Sequence, residues 1–80
     1  MSQIDKLLSK FKKVPKSVTY KELEKILIHS GFEKVAAKGS HVKFKHQDFT
    51  HDIVIPVHKG ECKDFYKKQV YKVISKIIWK

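Results

Sequence analysis

The hydrophobic pattern of the chain changes its period twice, and these changes restrict the possible folds more than any other feature. Up to residue 31 the apolar side chains recur every three or four residues, as they do on one face of a helix. From about residue 32 to 57 they alternate with polar ones, as in strands, and from about residue 65 the helical spacing returns. The sequence therefore predicts an α+β fold with the element order α-α-β-β-β-α, in which helices pack on one face of a three-stranded antiparallel sheet.

Local signals mark the ends of the predicted helices. The first helix is expected over about residues 2–13, and the segment VPKS after it is interpreted as a linker. Thr19 and Glu22 form a capping box at the start of the second helix, and Gly31 is placed to end it in a left-handed conformation. The last helix is expected over about residues 65–79. Its predicted buried face consists of Val70, Val73, Ile74 and Ile77.

Three segments have the alternation of strands: FEKVAAK, HVKFKH and, after a turn at QDFT, HDIVIPV. Within HVKFKH, Val42 and Phe44 point to one face, which we expect to contact the helices. The opposite, exposed face is expected to carry His41, Lys43 and Lys45. Because Pro56 has no N–H to donate, the third strand is expected to lie at a sheet edge or to end there.

The net charge of +10 arises from 18 basic side chains against eight acidic ones, and every basic side chain is a lysine. Such an excess favours a polyanionic partner, either nucleic acid or an anionic membrane. Without arginine there is no planar guanidinium for bidentate recognition, so attraction to a phosphate backbone is favoured over base specificity. A high lysine content also follows from an AT-rich genome or a need for solubility, and the charge alone does not separate these explanations.

The size of the chain and its rarer side chains exclude several classes of site. The 80 residues make one domain with a modest core, and we expect no cofactor. A single cysteine, Cys62, excludes an intrachain disulfide and a CxxC metal site and is typical of a reduced cytoplasmic protein. The five histidines contain no i, i+4 pair, so no metal site is predicted. No apolar run approaches the roughly 18 residues of a membrane span, so we expect a soluble cytoplasmic protein without a membrane partner.

The segment YKELEKILIHSGFEKVAAKGSHVKFKH, followed by IPVHKG and a final helix, resembles the HicA toxins. The resemblance covers about residues 17–79, and its most specific elements are GF at 31–32 and GSH at 39–41, followed by the aromatic Phe44. HicA toxins are small ribonucleases paired with HicB antitoxins, and their fold is similar to the double-stranded-RNA-binding domain. The resemblance therefore implies the toxin of a type II toxin–antitoxin system, an mRNA interferase that inhibits translation and growth. The family's catalytic histidine corresponds to His41.

Two parts of the chain depart from the family pattern. Family members often have PHP after the third strand where this chain has IPVHKG, so we assign no catalytic role to His58. Residues 1–16, comprising the first helix and the linker, are an addition to a core at 17–79 within what we expect to be one domain over residues 1–80. The added helix either fills the core or contacts a partner, and the sequence does not choose between these roles.

Cleavage of RNA without a metal ion uses the 2′-hydroxyl as the nucleophile on the adjacent phosphorus. The step needs a base for that hydroxyl, an acid for the leaving 5′-oxygen and cationic stabilisation of the phosphorane. The imidazole of His41 can serve as base or acid near neutral pH. A flexible single strand such as mRNA allows the in-line attack that a regular duplex resists, so single-stranded RNA is the expected substrate. The residues expected to contact RNA are Lys38, Gly39, Ser40, Lys43 and Lys45.

A nuclease with an exposed active face requires control by a partner. The resemblance implies a HicB-type antitoxin, and the charge of +10 predicts that its contacting surface is acidic and masks His41, Lys43 and Lys45. Two other functions stay open at this level. A non-catalytic RNA-binding module would bind RNA equally well without His41, and a structural interaction domain would not bind RNA at physiological salt. The remaining histidines of the helix and the turn are interpreted as surface residues: His29, His46 and His51.

Overall fold

The computed structural model describes residues 3–79 and confirms the predicted fold class and element order. The helices are α1 (Gln3–Lys13), α2 (Tyr20–His29) and α3 (Asp64–Ile77), and the strands are β1 (Glu33–Ala36), β2 (His41–Lys45) and β3 (Ile53–Pro56). Ser2, which the predicted first helix included, lies outside the described residues. The linker VPKS has more structure than expected, because Pro15–Ser17 form one 3-10 turn in which the Ser17 hydroxyl donates to the Val14 carbonyl at 2.6 Å.

Both ends of α2 have the hydrogen bonds that the sequence predicted. The Glu22 N–H donates to the Thr19 hydroxyl at 3.2 Å, and the Thr19 N–H donates to the Glu22 carboxylate at 2.9 Å. The second bond holds the pKa of the Glu22 carboxyl below its usual range. At the other end Gly31 has a φ of 98°, and the Phe32 N–H donates back to the Leu27 carbonyl at 3.0 Å. This Schellman ending turns the chain from α2 into β1.

In the antiparallel sheet β2 is the central strand, with β1 and β3 on its two sides. Phe44 lies opposite Ile53, and Val42 lies opposite Ile55, so these four side chains project to the same face and pack in the core with the helices. Phe44 and Ile55 are fully buried. The edge strand β3 ends at Pro56, as the sequence predicted.

The core lies between this face of the sheet and the helices. The predicted apolar face of α3 contributes two fully buried side chains, Val70 and Ile74, and two partly buried ones, Val73 and Ile77. The single core cluster joins them to apolar side chains of α1, α2 and the sheet. Within residues 3–79, no helix is long and apolar enough to cross a membrane.

One lysine of α3 is buried, which the sequence did not indicate. Lys67 is only 6% exposed, and its ammonium lies 3.8 Å from the Glu61 carboxylate and 3.9 Å from that of Asp64. A buried charge without such partners would strongly destabilise the fold. Both carboxylates therefore pair with Lys67. This pairing affects the net charge of the α3 surface that is described below.

Helix α1 packs an aromatic side chain into the core. Phe11 is fully buried, and its ring centroid lies 5.6 Å from that of Tyr71 and 6.1 Å from that of Trp79. The Tyr71 hydroxyl donates to the Lys12 carbonyl at 3.4 Å, and the Lys12 ammonium lies 5.8 Å from the centroid of the Trp79 ring. Of the two roles that the sequence left open for this helix, filling the core is the one that the structure shows.

Candidate active site

The face of the sheet that points away from the helices carries His41. Residues directly opposite each other in an antiparallel ladder project to the same side. His41 lies opposite Pro56, and Lys43 lies opposite Val54. We call this surface the outer face. It consists of Glu33, Val35, His41, Lys43, Lys45, Val54 and Pro56.

The exposure of His41 depends on the loop of residues 37–40 that precedes β2. Gly39 in this loop has a φ of 69°, a conformation that residues with a Cβ adopt only at a cost. The Val57 N–H donates to the Ser40 carbonyl at 2.9 Å, so the end of β3 holds the residue before His41. His41 itself is exposed. The GSH motif thus has a conformational basis, because the glycine makes the turn that delivers the histidine to solvent.

Each of the two lysines of β2 faces an acidic residue. The Lys43 ammonium lies 3.7 Å from the Asp52 carboxylate, with about a third of each side chain exposed. Lys45 lies directly opposite Glu33 on β1. These acidic neighbours offset part of the positive charge that the sequence predicted around His41. Asp52 gave no signal in the sequence, because its pairing with Lys43 depends on the register between β2 and β3.

The other predicted contact residues lie on the loop before β2. Lys38 and Ser40 are exposed there, on either side of Gly39. The structure therefore brings all the predicted RNA contacts to the loop before His41 or to the strand that follows it. Of the three predicted contact lysines, Lys38 and Lys45 have no ion pair within 4.0 Å among residues 3–79, and Lys38 is the lysine closest in sequence to His41 on its amino-terminal side.

His58 follows the outer face at the end of β3 and begins a tight turn. Its N–H donates to the Glu61 carbonyl at 2.7 Å, and the Glu61 N–H donates back at 3.0 Å. Lys59 and Gly60 between them have φ values of 54° and 79°, as in a type I′ turn. A groove beside this turn is lined by Pro56, His58, Glu61, Cys62, Lys63 and Tyr66. Among residues 3–79, no three His, Cys, Asp or Glu side chains are grouped so that they could hold a metal ion.

The interpretation of His46 as a surface residue is wrong. Its side chain is 7% exposed, and its ring centroid lies 4.8 Å from that of Phe32 and 5.2 Å from that of Phe49. The Asp48 N–H donates to its Nδ1 at 3.0 Å. The ring covers Gly31, where an added Cβ would lie 3.1 Å from Nε2. His29 and His51 are exposed, as predicted.

Two buried titratable side chains lie outside the outer face. Burial raises the pKa of the Cys62 thiol, and the Lys67 ammonium offsets part of this effect. The Tyr20 hydroxyl is buried and has no hydrogen bond of normal geometry with any of residues 3–79. Burial, reinforced by the nearby Glu24 carboxylate, raises the pKa of Tyr20 to about 12. Neither side chain has the lowered pKa of an activated nucleophile.

The family model described as HicA toxin of bacterial toxin-antitoxin matches residues 20–76, from the start of α2 almost to the end of α3. No curated protein and no solved structure matches the chain significantly. A basic α+β domain of this element order, matched over most of its length, defines the class of protein as the toxin of a bacterial toxin–antitoxin pair. The chain belongs to the HicA toxin family. Helix α1 lies outside the matched range.

Proposed function

We propose that the chain is an endoribonuclease that cleaves mRNA and so inhibits translation and growth, with His41 as its catalytic residue. The position of His41 carries the proposal. In a chain of the HicA toxin family, this histidine is exposed at the start of the central strand, directly after the glycine turn of the GSH motif. His46, by contrast, is packed among aromatic rings, and its side chain is only 7% exposed.

In the proposed reaction the 2′-hydroxyl of RNA forms a bond to the adjacent phosphorus, and the bond from phosphorus to the 5′-oxygen breaks. His41 accepts the proton of the 2′-hydroxyl while water protonates the leaving 5′-oxygen, or it donates a proton to that oxygen while water accepts the proton of the 2′-hydroxyl. The Lys38 ammonium and the Ser40 hydroxyl stabilise the phosphate oxygens from the loop before β2. The products carry a 2′,3′-cyclic phosphate and a 5′-hydroxyl, and no metal ion takes part.

The Lys43 ammonium can contact an RNA phosphate only when its ion pair with Asp52 breaks. An exposed ion pair of this kind contributes roughly 0.2–1 kcal/mol, so an RNA phosphate can replace the carboxylate at small cost. Lys45 lies opposite Glu33 but has no carboxylate within 4.0 Å among residues 3–79. Both lysines therefore serve as contacts to bound RNA, Lys43 after its ion pair with Asp52 breaks and Lys45 without breaking an ion pair.

Membership of this family implies an antitoxin partner. We propose that this partner is of the HicB type and that it lays an acidic surface over the outer face around His41. A partner carboxylate would compete with Asp52 for Lys43 in the same way as a phosphate does. Opposite net charges would make the association fast and sensitive to salt.

The test is cleavage of a single-stranded RNA in EDTA by the wild-type protein and by His41→Ala, with His51→Ala as the matched exposed control. We expect wild-type and His51→Ala to cleave and to leave cyclic-phosphate ends, whereas His41→Ala binds RNA, keeps its circular dichroism spectrum and does not cleave. Full cleavage by a folded His41→Ala variant would refute the catalytic assignment. A wild-type protein that binds RNA without cleaving it would instead support the non-catalytic RNA-binding module.

A further inference from the structure

The exposed side of α3 has a composition unlike that of the outer face. Phe65 is 68% exposed, the most exposed of the large apolar side chains described. On a helix with 3.6 residues per turn it shares one face with side chains three, four, seven and eleven positions later. We call this face the α3 ridge. It consists of Phe65, Lys68, Gln69, Lys72 and Lys76.

The lysines of the α3 ridge are not offset by acidic residues. The single acidic residue of α3 is Asp64, and it lies 3.9 Å from the buried Lys67. Glu61, just before the helix, is paired with Lys67 as well. Among residues 3–79, none of the ridge lysines has a carboxylate within 4.0 Å. The ridge therefore presents uncompensated positive charge around an exposed aromatic ring.

We propose that the α3 ridge is a second contact site for single-stranded RNA, which stacks a base on Phe65 and places phosphates at Lys68 and Lys72. An exposed aromatic ring flanked by cations is the combination by which proteins hold single strands without sequence preference. Lys68 and Lys72 are four residues, about 6 Å, apart along the helix axis. The two ammonium groups can therefore follow a phosphate backbone that passes along the helix.

A series of neighbouring residues links His41 to the ridge. Pro56 lies opposite His41 on the sheet and also lines the groove beside the His58 turn. Lys63 and Tyr66 line the same groove. The Tyr66 ring lies 5.2 Å from the ring of Phe65. A strand bound at His41 can thus pass over the groove and reach the ridge, and in this sense the inference rests on the proposed function.

A protein partner fits the ridge less well than RNA does. The cores of protein interfaces are depleted of lysine, and binding there requires a buried apolar cluster. Around Phe65 the ridge offers only lysines and one glutamine. A single exposed ring among cations provides a stacking platform but no apolar core. We therefore assign the ridge to RNA and treat binding of the acidic antitoxin there as an outcome that the experiment must exclude.

The experiment measures binding of a 2′-O-methylated, uncleavable single-stranded RNA to the full chain by fluorescence anisotropy over a series of salt concentrations. The variants are Phe65→Ala, the conservative Phe65→Tyr and the double variant Lys68→Gln/Lys72→Gln. The matched control is Lys21→Gln/Lys25→Gln, which removes two exposed lysines with the same i, i+4 spacing from α2. All of these side chains are exposed, so their replacement opens no cavity. Cleavage of unmodified RNA is measured in parallel.

We expect Phe65→Ala to weaken binding about 5- to 150-fold at an unchanged salt slope, and Phe65→Tyr to bind as the wild type does. The ridge double variant should lower the salt slope by about 1.4, or roughly 0.7 per lost phosphate contact, while the α2 control keeps the wild-type slope. If the ridge variants lose no more affinity than the control, or lose affinity only for an acidic antitoxin, the inference is overturned. In those cases cleavage still depends on His41 and the proposed function stands, whereas a protein that neither binds nor cleaves RNA refutes both.

Discussion

At the scale of single residues, the backbone conformation of Gly39 sets the position of His41 on the surface. Its φ of 69° lies in the left-handed region, and an added Cβ would meet no atom within 4 Å. Gly39→Ala should therefore strain the backbone without a collision and cost about 1–2 kcal/mol of the free energy of unfolding. We expect cleavage to fall as well, because the strain relaxes by moving the loop that positions His41. Urea unfolding and a cleavage assay measure the two effects.

Gly60 provides the matched control for Gly39. Its φ is 79°, and an added Cβ there would also meet nothing within 4 Å. Gly60→Ala should lose a similar free energy of unfolding but keep its cleavage activity, because it lies in the His58 turn and not in the loop before β2. Equal loss of cleavage in both variants would show that lower stability, and not the position of His41, causes the effect.

Tyr20 gives a prediction on pH dependence. Its pKa of about 12 in the folded chain lies above the ordinary value of 10.0, so the neutral phenol is favoured by folding. Its contribution to stability is complete below pH 10 and is lost as the pH rises towards 12. We expect Tyr20→Phe to remove this loss, and also to keep or raise stability near neutral pH, because it deletes a buried hydroxyl that has no hydrogen-bond partner among residues 3–79. Urea unfolding at pH 7 and above pH 10 tests both points, with Tyr71→Phe as the control.

At the scale of elements, the charges of the α3 ridge act against the helix that carries them. Lys68, Lys72 and Lys76 follow at intervals of four, and each such like-charged pair destabilises a helix by about 0.2–0.5 kcal/mol. We expect Lys68→Gln/Lys72→Gln to raise the free energy of unfolding slightly while it weakens RNA binding. A higher free energy of unfolding together with weaker RNA binding would rule out unfolding as the reason for the lost affinity. A decrease in stability would show that these lysines support the fold.

The elements whose signals are local could be predicted from the sequence, whereas contacts between distant elements could not. The capping box at Thr19 and the left-handed Gly31 depend on neighbours within a few residues, and both are as predicted. The alternation of polar and apolar residues around His41 likewise predicted its position on an exposed strand face, because side chains alternate between the two faces along a single strand. The partner of Lys43 depends on how β2 and β3 are aligned, and the burial of His46 depends on how its ring packs against Phe32 and Phe49. No pattern within one segment encodes either contact.

At the scale of the whole molecule, we propose that residues 1–80 form one cooperative unit that includes α1. Phe11 is fully buried in the core cluster. Phe11→Ala should cost about 3–5 kcal/mol, a large part of the roughly 4–12 kcal/mol expected for a chain of this length. Val14→Ala is the control, since Val14 is 45% exposed and its loss should change stability by less than about 0.5 kcal/mol. Urea unfolding followed by circular dichroism should show one transition in each variant. A separate early transition for α1 would contradict the proposal.

The proposed antitoxin should mask the active site directly. We expect hydrogen exchange in residues 38–46 to slow when the complex forms, because an acidic surface over the outer face shields the loop before β2 and the start of that strand. Residues 3–13 should keep the exchange rates of the free protein, because α1 packs with the other helices on the opposite side of the sheet. If cleavage is silenced while residues 38–46 exchange as before, inhibition acts at another surface.

The fluorescence of Trp79 can report whether α1 is packed against the rest of the chain. Trp79 is the sole tryptophan of the sequence, and its indole lies 6.1 Å from Phe11 on α1 and 5.4 Å from Tyr71 on α3. Detachment of α1 would hydrate the indole and shift its emission to longer wavelength. Tyr71 lies on α3, just before Trp79 in the chain, and is close enough to pass its excitation to the indole, so this energy transfer persists when α1 alone detaches. An RNA or an antitoxin confined to the outer face should leave the emission unchanged, and a spectral shift on complex formation would locate a contact at α1.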